Sequence, residues 1–267
     1  MANSRTPSLT AMMFVALFLL SVSLGCARSG DAADASTRPA QVASHAPVVI
    51  ELFTSEGCSS CPPADGLLAE LISEAQAHGQ PVYCMAFHVD YWDRLGWRDP
   101  FSSAAFSTRQ HRYAAAFGSD QVYTPQLVIN GKSGFDGSDA AEARRQIRAA
   151  MEGPVATEVV MKAEKTAGGL TVAYRVRDAP EDAVLNVALV ERSVTTRVER
   201  GENAGRTLRH ANVVRAFGTA SLSKSNSASI DLTPPESLEP ANALLIGFVQ
   251  DQKTMVIAGA STADLPR

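Results

Sequence analysis

Val48-Val49-Ile50-Glu51-Leu52-Phe53-Thr54-Ser55-Glu56-Gly57-Cys58-Ser59-Ser60-Cys61-Pro62-Pro63 decides how this chain is read. An apolar run of strand length leads into two cysteines separated by two serines, and a helical pattern opens just beyond, near Ala64. A dithiol at a strand-to-helix junction suits redox chemistry. A helix N-terminus presents unpaired backbone N–H groups and a partial positive charge, which favour the thiolate at Cys58 over the thiol. Cys58 is therefore expected to be the more exposed and more acidic of the two. The prolines complicate the helix start, because Pro is tolerated in a first turn but Pro63 biases Pro62 away from helical angles. Either the helix begins at Cys58 with a strained first turn, or it begins at Pro63 with the dithiol in a loop. The first is the working expectation, since the bias is not a prohibition.

The spacing of the cysteines alone fits half of a zinc site equally well. A second signal lies downstream in Tyr123-Thr124-Pro125-Gln126-Leu127-Val128-Ile129-Asn130-Gly131, where a Thr-Pro pair enters a strand that ends in an Asn-Gly turn. With both signals the segment from about Pro47 to Glu152 resembles the thioredoxin superfamily. That resemblance implies a cis peptide bond at Pro125 beside the dithiol and catalytic roles for Cys58, Cys61 and Pro125. It also implies that the backbone at Thr124 pairs with an extended substrate segment. The wording from Glu51 to Asp65, together with Phe87-His88-Val89-Asp90-Tyr91-Trp92, is similar to the exported bacterial family called domain of unknown function 1223.

The N-terminus reads as an export signal. Arg5 precedes an uncharged apolar stretch from Ala11 to Leu24 that is short for a transmembrane helix. Ser23-Leu24-Gly25-Cys26 resembles a lipobox, with Ser23 in place of the usual Leu, so residues 1–26 are a signal peptide of the lipoprotein type, lipidated at Cys26, or one cleaved nearby. The expected location is the periplasm, with a lipid anchor as the membrane attachment in the first case. Residues 27–46 are small and polar, as in a flexible linker.

Of the 4 cysteines, Cys84 sits in the apolar run Val82 to Phe87 and reads as a buried, inert thiol, and the count excludes a disulfide-rich scaffold. The 267 residues, 45% hydrophobic, are enough for two domains. A net charge of -4, from 24 basic and 28 acidic residues without a long run of either sign, argues against nucleic acid as a partner.

The expected fold class is an α/β thioredoxin-like domain over 47–152, followed by a small all-β, sandwich-like domain over 153–267. The first domain reads as strand (about Val48 to Phe53), helix (about Ala64 to Ala77), strand (about Val82 to Val89), helix (about Ser102 to Phe117), strand (about Gln126 to Ile129) and helix (about Asp139 to Met151). The loop from His88 to Phe101 carries both tryptophans and follows the carboxyl end of a strand, where open α/β sheets place ligands. His88 and Asp90 are candidates for proton exchange with Cys61, and Tyr91, Trp92 and Trp97 for the wall of a substrate groove. The alternative is that the aromatics cap the core. Glu51 is a further candidate buried acid.

After Gly153-Pro154 the pattern becomes strand and turn only. Val159, Met161 and Ala163 alternate with polar residues, Gly168-Gly169 turns, and Leu170, Val172, Tyr174 and Val176 alternate again. Ala183 to Val190, Ser227 to Leu232, Ala243 to Val249 and Met255 to Ala260 read as further strands. The polar stretch Glu199 to Arg206, followed by His210-Ala211-Asn212-Val213-Val214-Arg215, reads as a solvated loop, with a binding or interdomain surface as the alternative.

Two functional classes follow. In a thiol–disulfide oxidoreductase, Cys58 attacks a disulfide, Cys61 resolves the mixed disulfide, and no cofactor is needed beyond the redox-active Cys58–Cys61 pair. Its partners would be protein thiols or disulfides of the envelope. In a soft-metal or copper-handling module, Cys58 and Cys61 would ligate the metal with His88 as third ligand. A noncatalytic thioredoxin-like binding module is the remaining alternative.

Overall fold

The structure, a computed structural model, describes residues 45–223 and 225–266. Strands β1 (Val48–Thr54) and β2 (Val82–His88) pair in parallel, joined by helix α1 (Pro62–His78). Both are nearly continuous apolar runs because both faces of the sheet are covered here. α1 ends where Gly79 turns left-handed at φ 60° and the N–H groups of Gly79 and Gln80 return to the last-turn carbonyls. Helix α2 (Ala104–Ala116) starts at Ser103, whose hydroxyl accepts from Ala105 N, and leads to β3 (Gln126–Ile129), antiparallel to β1. Asn130 and Gly131, at φ 47° and 65°, turn the chain into β4 (Ser133–Asp136). Helix α3 (Ala140–Met151) is capped by the Asp139 carboxylate on Glu142 N. Leucines 67, 68 and 71 of α1 and Ile147 and Met151 of α3 cluster with Ile50, Leu52 and Leu127 on one face. Phe106 and Tyr113 of α2 cluster with Phe53, Phe87 and Val128 on the other.

The expected separation into an α/β domain and an independent all-β domain is incorrect. The chain is mostly β, with three helices among the described residues. After β5 (Glu158–Thr166) and β6 (Gly169–Arg177) come β7 (Ala183–Arg197), β8 (Thr207–Ser221), β9 (Ser227–Leu232), β10 (Ala243–Asp251) and β11 (Ile257–Ala263). Four of these extend the first sheet, giving one mixed eight-stranded sheet in the order β11-β10-β7-β8-β2-β1-β3-β4. Only β5-β6-β9 form a second sheet, and its Val159, Val172 and Tyr174 cluster with Leu185, Val187 and Leu245 on one face of the large one. The joint is β8 on β2, in parallel at Ala86 and Val213, reinforced by Asn212 Nδ2 on the Cys84 carbonyl at 2.9 Å. The sequence reading missed β8 because its polar residues, His210, Asn212 and Arg215, break the alternation expected of a strand.

Buried ionic contacts tie the same two halves together on the α2 side. Arg109 donates from Nε to Glu51 Oε2 at 2.5 Å and from Nη2 to Gln250 Oε1 of β10 at 3.0 Å, while Tyr113 OH donates to Glu51. The guanidinium lies within about 5.5 Å of the rings of Phe87, Tyr113, Phe217 and Phe248. Glu51, a candidate functional acid from sequence, is thus the counter-charge of a buried arginine. Glu51→Gln leaves that cation unpaired and should lower the unfolding free energy by about 3–5 kcal/mol in denaturant titration. A loss below about 1 kcal/mol contradicts a structural role for the pair.

Candidate functional site

Cys58 and Cys61 are both free, and neither exposes any surface. The expectation that the helix starts at Cys58 and leaves that thiol exposed is corrected on both points. α1 begins at Pro62, with Cys61 as its N-cap and prolines in the first two positions, where missing N–H groups cost nothing. Cys58 sits one turn earlier, bridged to Cys61 by a Cys61 N–H to Cys58 carbonyl bond of 3.2 Å, so only Ser59 and Ser60 of the motif reach solvent.

The two thiols are driven apart electrostatically. The Cys61 thiol donates to Cys58 and this contact most strongly lowers the Cys58 pKa; burial opposes it, and the Ser60 hydroxyl, at 3.3 Å from Sγ, lowers it further, to about 6. Cys61 moves the other way: burial first, then the neighbouring Cys58 and Asp65, push it far above the ordinary thiol range. Cys58 Sγ also lies 3.8 Å from the carbonyl of Thr124, whose bond to the buried Pro125 is cis. This arrangement provides a nucleophile that is a thiolate near neutral pH and a partner that holds its proton.

The segment between β7 and β8, read from sequence as a solvated loop, clamps the dithiol loop. Buried Asn203 donates from Nδ2 to the carbonyls of Glu56 and Cys58, each at 2.9 Å, and Glu202 accepts from Ser59 N at 3.0 Å. Below the loop lies a set of buried ionisable groups. His88 donates from Nδ1 to Asp99 Oδ2 at 2.7 Å, and Asp99 Oδ2 also accepts from Glu56 N at 2.8 Å. Burial alone would raise the Asp99 carboxyl, but His88 and the backbone donors hold it below its usual value. His210 on β8 faces Glu56 through Nε2 (3.2 Å) and Asp65 through Nδ1 (3.5 Å), and its ring meets that of His88 edge to face at 4.8 Å.

Among the residues singled out from sequence, Cys58, Cys61, Thr124 and Pro125 come together. Trp92 joins them, donating from Nε1 to Thr124 Oγ1 at 2.8 Å, and Trp97 donates to Glu56 Oε2 at 2.8 Å; both rings are partly buried. Tyr91 instead bonds Gln110 of α2 at 3.1 Å, and Asp90 is held by Ser107. His88 turns toward Asp99 and His210, and among the described residues no three His, Cys, Asp or Glu side chains group as metal ligands. Cys26 lies outside the described residues. Sequence reasoning missed Glu56, Asp65, Asp99, Asn203 and His210, although polar residues inside an otherwise apolar strand, as at His210, were a usable signal.

Fold and site together define a mixed-sheet protein with a buried, asymmetric dithiol. The family model described as protein of unknown function DUF1223 matches residues 49–250, and the chain belongs to that family. A crystal structure of a structural-genomics target protein from Agrobacterium tumefaciens is similar to it at 25% identity and a TM-score of 0.58, covering 83% of this chain and 96% of that one. A domain of the outer membrane lipoprotein Omp28 from Porphyromonas gingivalis matches at 14% identity and a TM-score of 0.24, over 42% of this chain and 90% of that one. No curated protein matches.

The asymmetry is directly measurable by thiolate absorbance. One thiolate should appear with a midpoint near pH 6, vanish in Cys58→Ala, and shift toward the free-thiol value of about 8.5 in Cys61→Ala, which removes the main donor. A wild-type midpoint near 8.5 would contradict the assignment.

Proposed function

We propose that the protein is a thiol–disulfide oxidoreductase of the cell envelope, working through Cys58 and Cys61 without a bound cofactor. The Cys58 thiolate attacks a substrate disulfide; one substrate sulfur leaves as a thiolate and a mixed disulfide forms. Cys61 then loses its proton and attacks Cys58 Sγ, giving the Cys58–Cys61 disulfide and releasing the second substrate thiolate. The substrate gains two electrons and the dithiol loses two. Run backwards, the same steps oxidise a substrate dithiol.

The observation that carries this reading is the pairing of a Cys58 pKa lowered to about 6 with a Cys61 thiol that keeps its proton, next to the Thr124 carbonyl. An ordinary structural thiol has no reason to be held as a thiolate. For attack, Cys58 Sγ exchanges its contacts with Ser60 Oγ and the Thr124 carbonyl for a substrate sulfur. The resemblance of the segment from Pro47 to Glu152 to the thioredoxin superfamily, the reading of residues 1–26 as an export signal, and lipidation at Cys26 belong to the same proposal. So do envelope thiols and disulfides as partners, and Trp92 as a wall of the substrate groove, since it bonds Thr124.

Trapping tests the proposal. Cys61→Ser, expressed in its own envelope, should accumulate protein partners that reductant releases and that are lost in Cys58→Ser/Cys61→Ser. In a turnover assay on a protein disulfide, Cys58→Ser should fall to the uncatalysed background. Wild-type rates in Cys58→Ser, or no partner at Cys58, would favour a noncatalytic binding role.

A further inference from the structure

The peptide bond between Cys58 and Ser59 is held at both of its polar ends by two consecutive residues from the far half of the chain. Its carbonyl, on Cys58, accepts from Asn203 Nδ2 at 2.9 Å, and its N–H, on Ser59, donates to Glu202 Oε2 at 3.0 Å. The same Asn203 amide reaches the Glu56 carbonyl at 2.9 Å, so the backbone is fixed before the nucleophile as well as immediately after it. In a planar trans peptide the C=O and N–H point in opposite directions. Gripping both therefore fixes the plane and, with it, the torsions on either side that aim the Cys58 side chain.

The grip is itself rigid. Asn203 exposes no surface, and its Oδ1 accepts from Arg206 Nη1 at 2.7 Å, which turns the Nδ2 side toward the dithiol loop. The hairpin that carries both residues closes on itself through Val198 N on the Arg206 carbonyl (2.9 Å) and Gly205 N on the Val198 carbonyl (2.8 Å). It also packs on the loop after β2: Gly201 is at φ 75°, and a Cβ added there would meet Trp97 Cβ at 3.2 Å. The Ser59 side chain and N–H hold the Glu202 carboxyl below its usual range, so this end of the grip is charged at neutral pH.

The reactive turn needs such support. Ser59 and Ser60 are exposed, Pro62 and Pro63 supply no N–H groups, and the turn is closed by a Cys61 N to Cys58 carbonyl bond of 3.2 Å. In the mixed disulfide Cys58 Sγ is bonded to substrate and gives up its contacts with Ser60 and the Thr124 carbonyl. The backbone of Cys58 is then what sets where that sulfur lies, and resolution needs the reacting atoms close and aligned.

We propose that Glu202 and Asn203 are positioning residues for the dithiol: by fixing the Cys58–Ser59 peptide they keep Cys58 Sγ in line for Cys61, and the C-terminal half of the chain thereby completes the reactive turn. The inference rests on the oxidoreductase reading. Both residues act through the backbone, and the bonds made and broken are those of the exchange itself.

The test follows the reduced full chain with oxidised glutathione, quenched in acid at intervals and weighed by mass spectrometry, alongside thiolate absorbance against pH. Wild type should pass to the Cys58–Cys61 disulfide with little glutathione adduct. Asn203→Ala should resolve the adduct on the order of tenfold more slowly, as expected for the loss of one well-made hydrogen-bonding group. Its Cys58 midpoint should also move up from about 6, because the contacts that hold the thiolate depend on the same turn. Glu202→Ala should slow resolution in the same direction, whereas Glu202→Gln, which keeps an oxygen to accept from Ser59 N, should recover most of that loss. A purely structural role lowers stability but leaves the folded protein with wild-type resolution and thiolate titration; that result in Asn203→Ala and Glu202→Ala overturns the inference. So does equal slowing in Glu202→Gln and Glu202→Ala, which traces the effect to charge. Should Asn203→Ala fail to fold, the two variants of the exposed Glu202 decide. If wild type forms no adduct at Cys58, the oxidoreductase reading falls, and the thiolate midpoints of wild type and Asn203→Ala still decide whether the grip positions Cys58.

Discussion

The imidazole of His210, enclosed by the carboxylates of Glu56 and Asp65, is the contact on which the rest of the site depends. It joins a strand from the C-terminal half of the chain to the loop that leads into the dithiol and to the helix that follows it. Three buried ionisable groups are costly to desolvate one by one, and they are tolerated here because each sits within reach of an opposite charge. Removing one partner strands the others, so the dithiol loop and β8 have to be correctly placed together or not at all. Asn203 repeats the coupling at the backbone level, by satisfying two carbonyls of the loop that bears Cys58.

On this base the two cysteines become unlike. Their sequence environment is nearly symmetrical, a serine on the inner side of each, and the difference comes from depth and neighbours. Cys58 collects donors from Cys61 and Ser60, whereas Cys61 faces burial and the charges of Cys58 and Asp65. The N-terminus of α1 contributes less than its position suggests, because Pro62 and Pro63 remove N–H groups from its first turn and the helix begins only after Cys61. The thiolate is held by its immediate hydrogen bonds more than by the helix as a whole.

The sequence was legible where local rules act alone. The apolar runs of β1 and β2, and the Asn-Gly turn after β3, each follow from a few neighbouring residues. The paired alternation of β5 and β6 around Gly168-Gly169 is of the same kind. What was not legible depends on partners far along the chain. β8 carries His210, Asn212 and Arg215 at positions that look solvated until their partners are known: Glu56 and Asp65, the Cys84 carbonyl, and Glu191. A polar residue that is buried and satisfied cannot be told from an exposed one by periodicity. Missing β8 removed the joint between the halves, and a separate β domain was the resulting error. Asp65 and Glu56 were quoted within the dithiol motif, but without His210 opposite them they carried no assignable role.

We propose that Cys58 and Cys61 form a redox couple poised by this environment. It is tested most directly by equilibrating the protein across a range of reduced and oxidised glutathione ratios and mapping the products by alkylation. One two-electron transition is expected, confined to Cys58 and Cys61, with Cys84 a free thiol throughout because it is buried in the apolar core and its pKa is pushed up to about 12. Absence of a Cys58–Cys61 disulfide at every ratio, or oxidation beginning at Cys84, would contradict it.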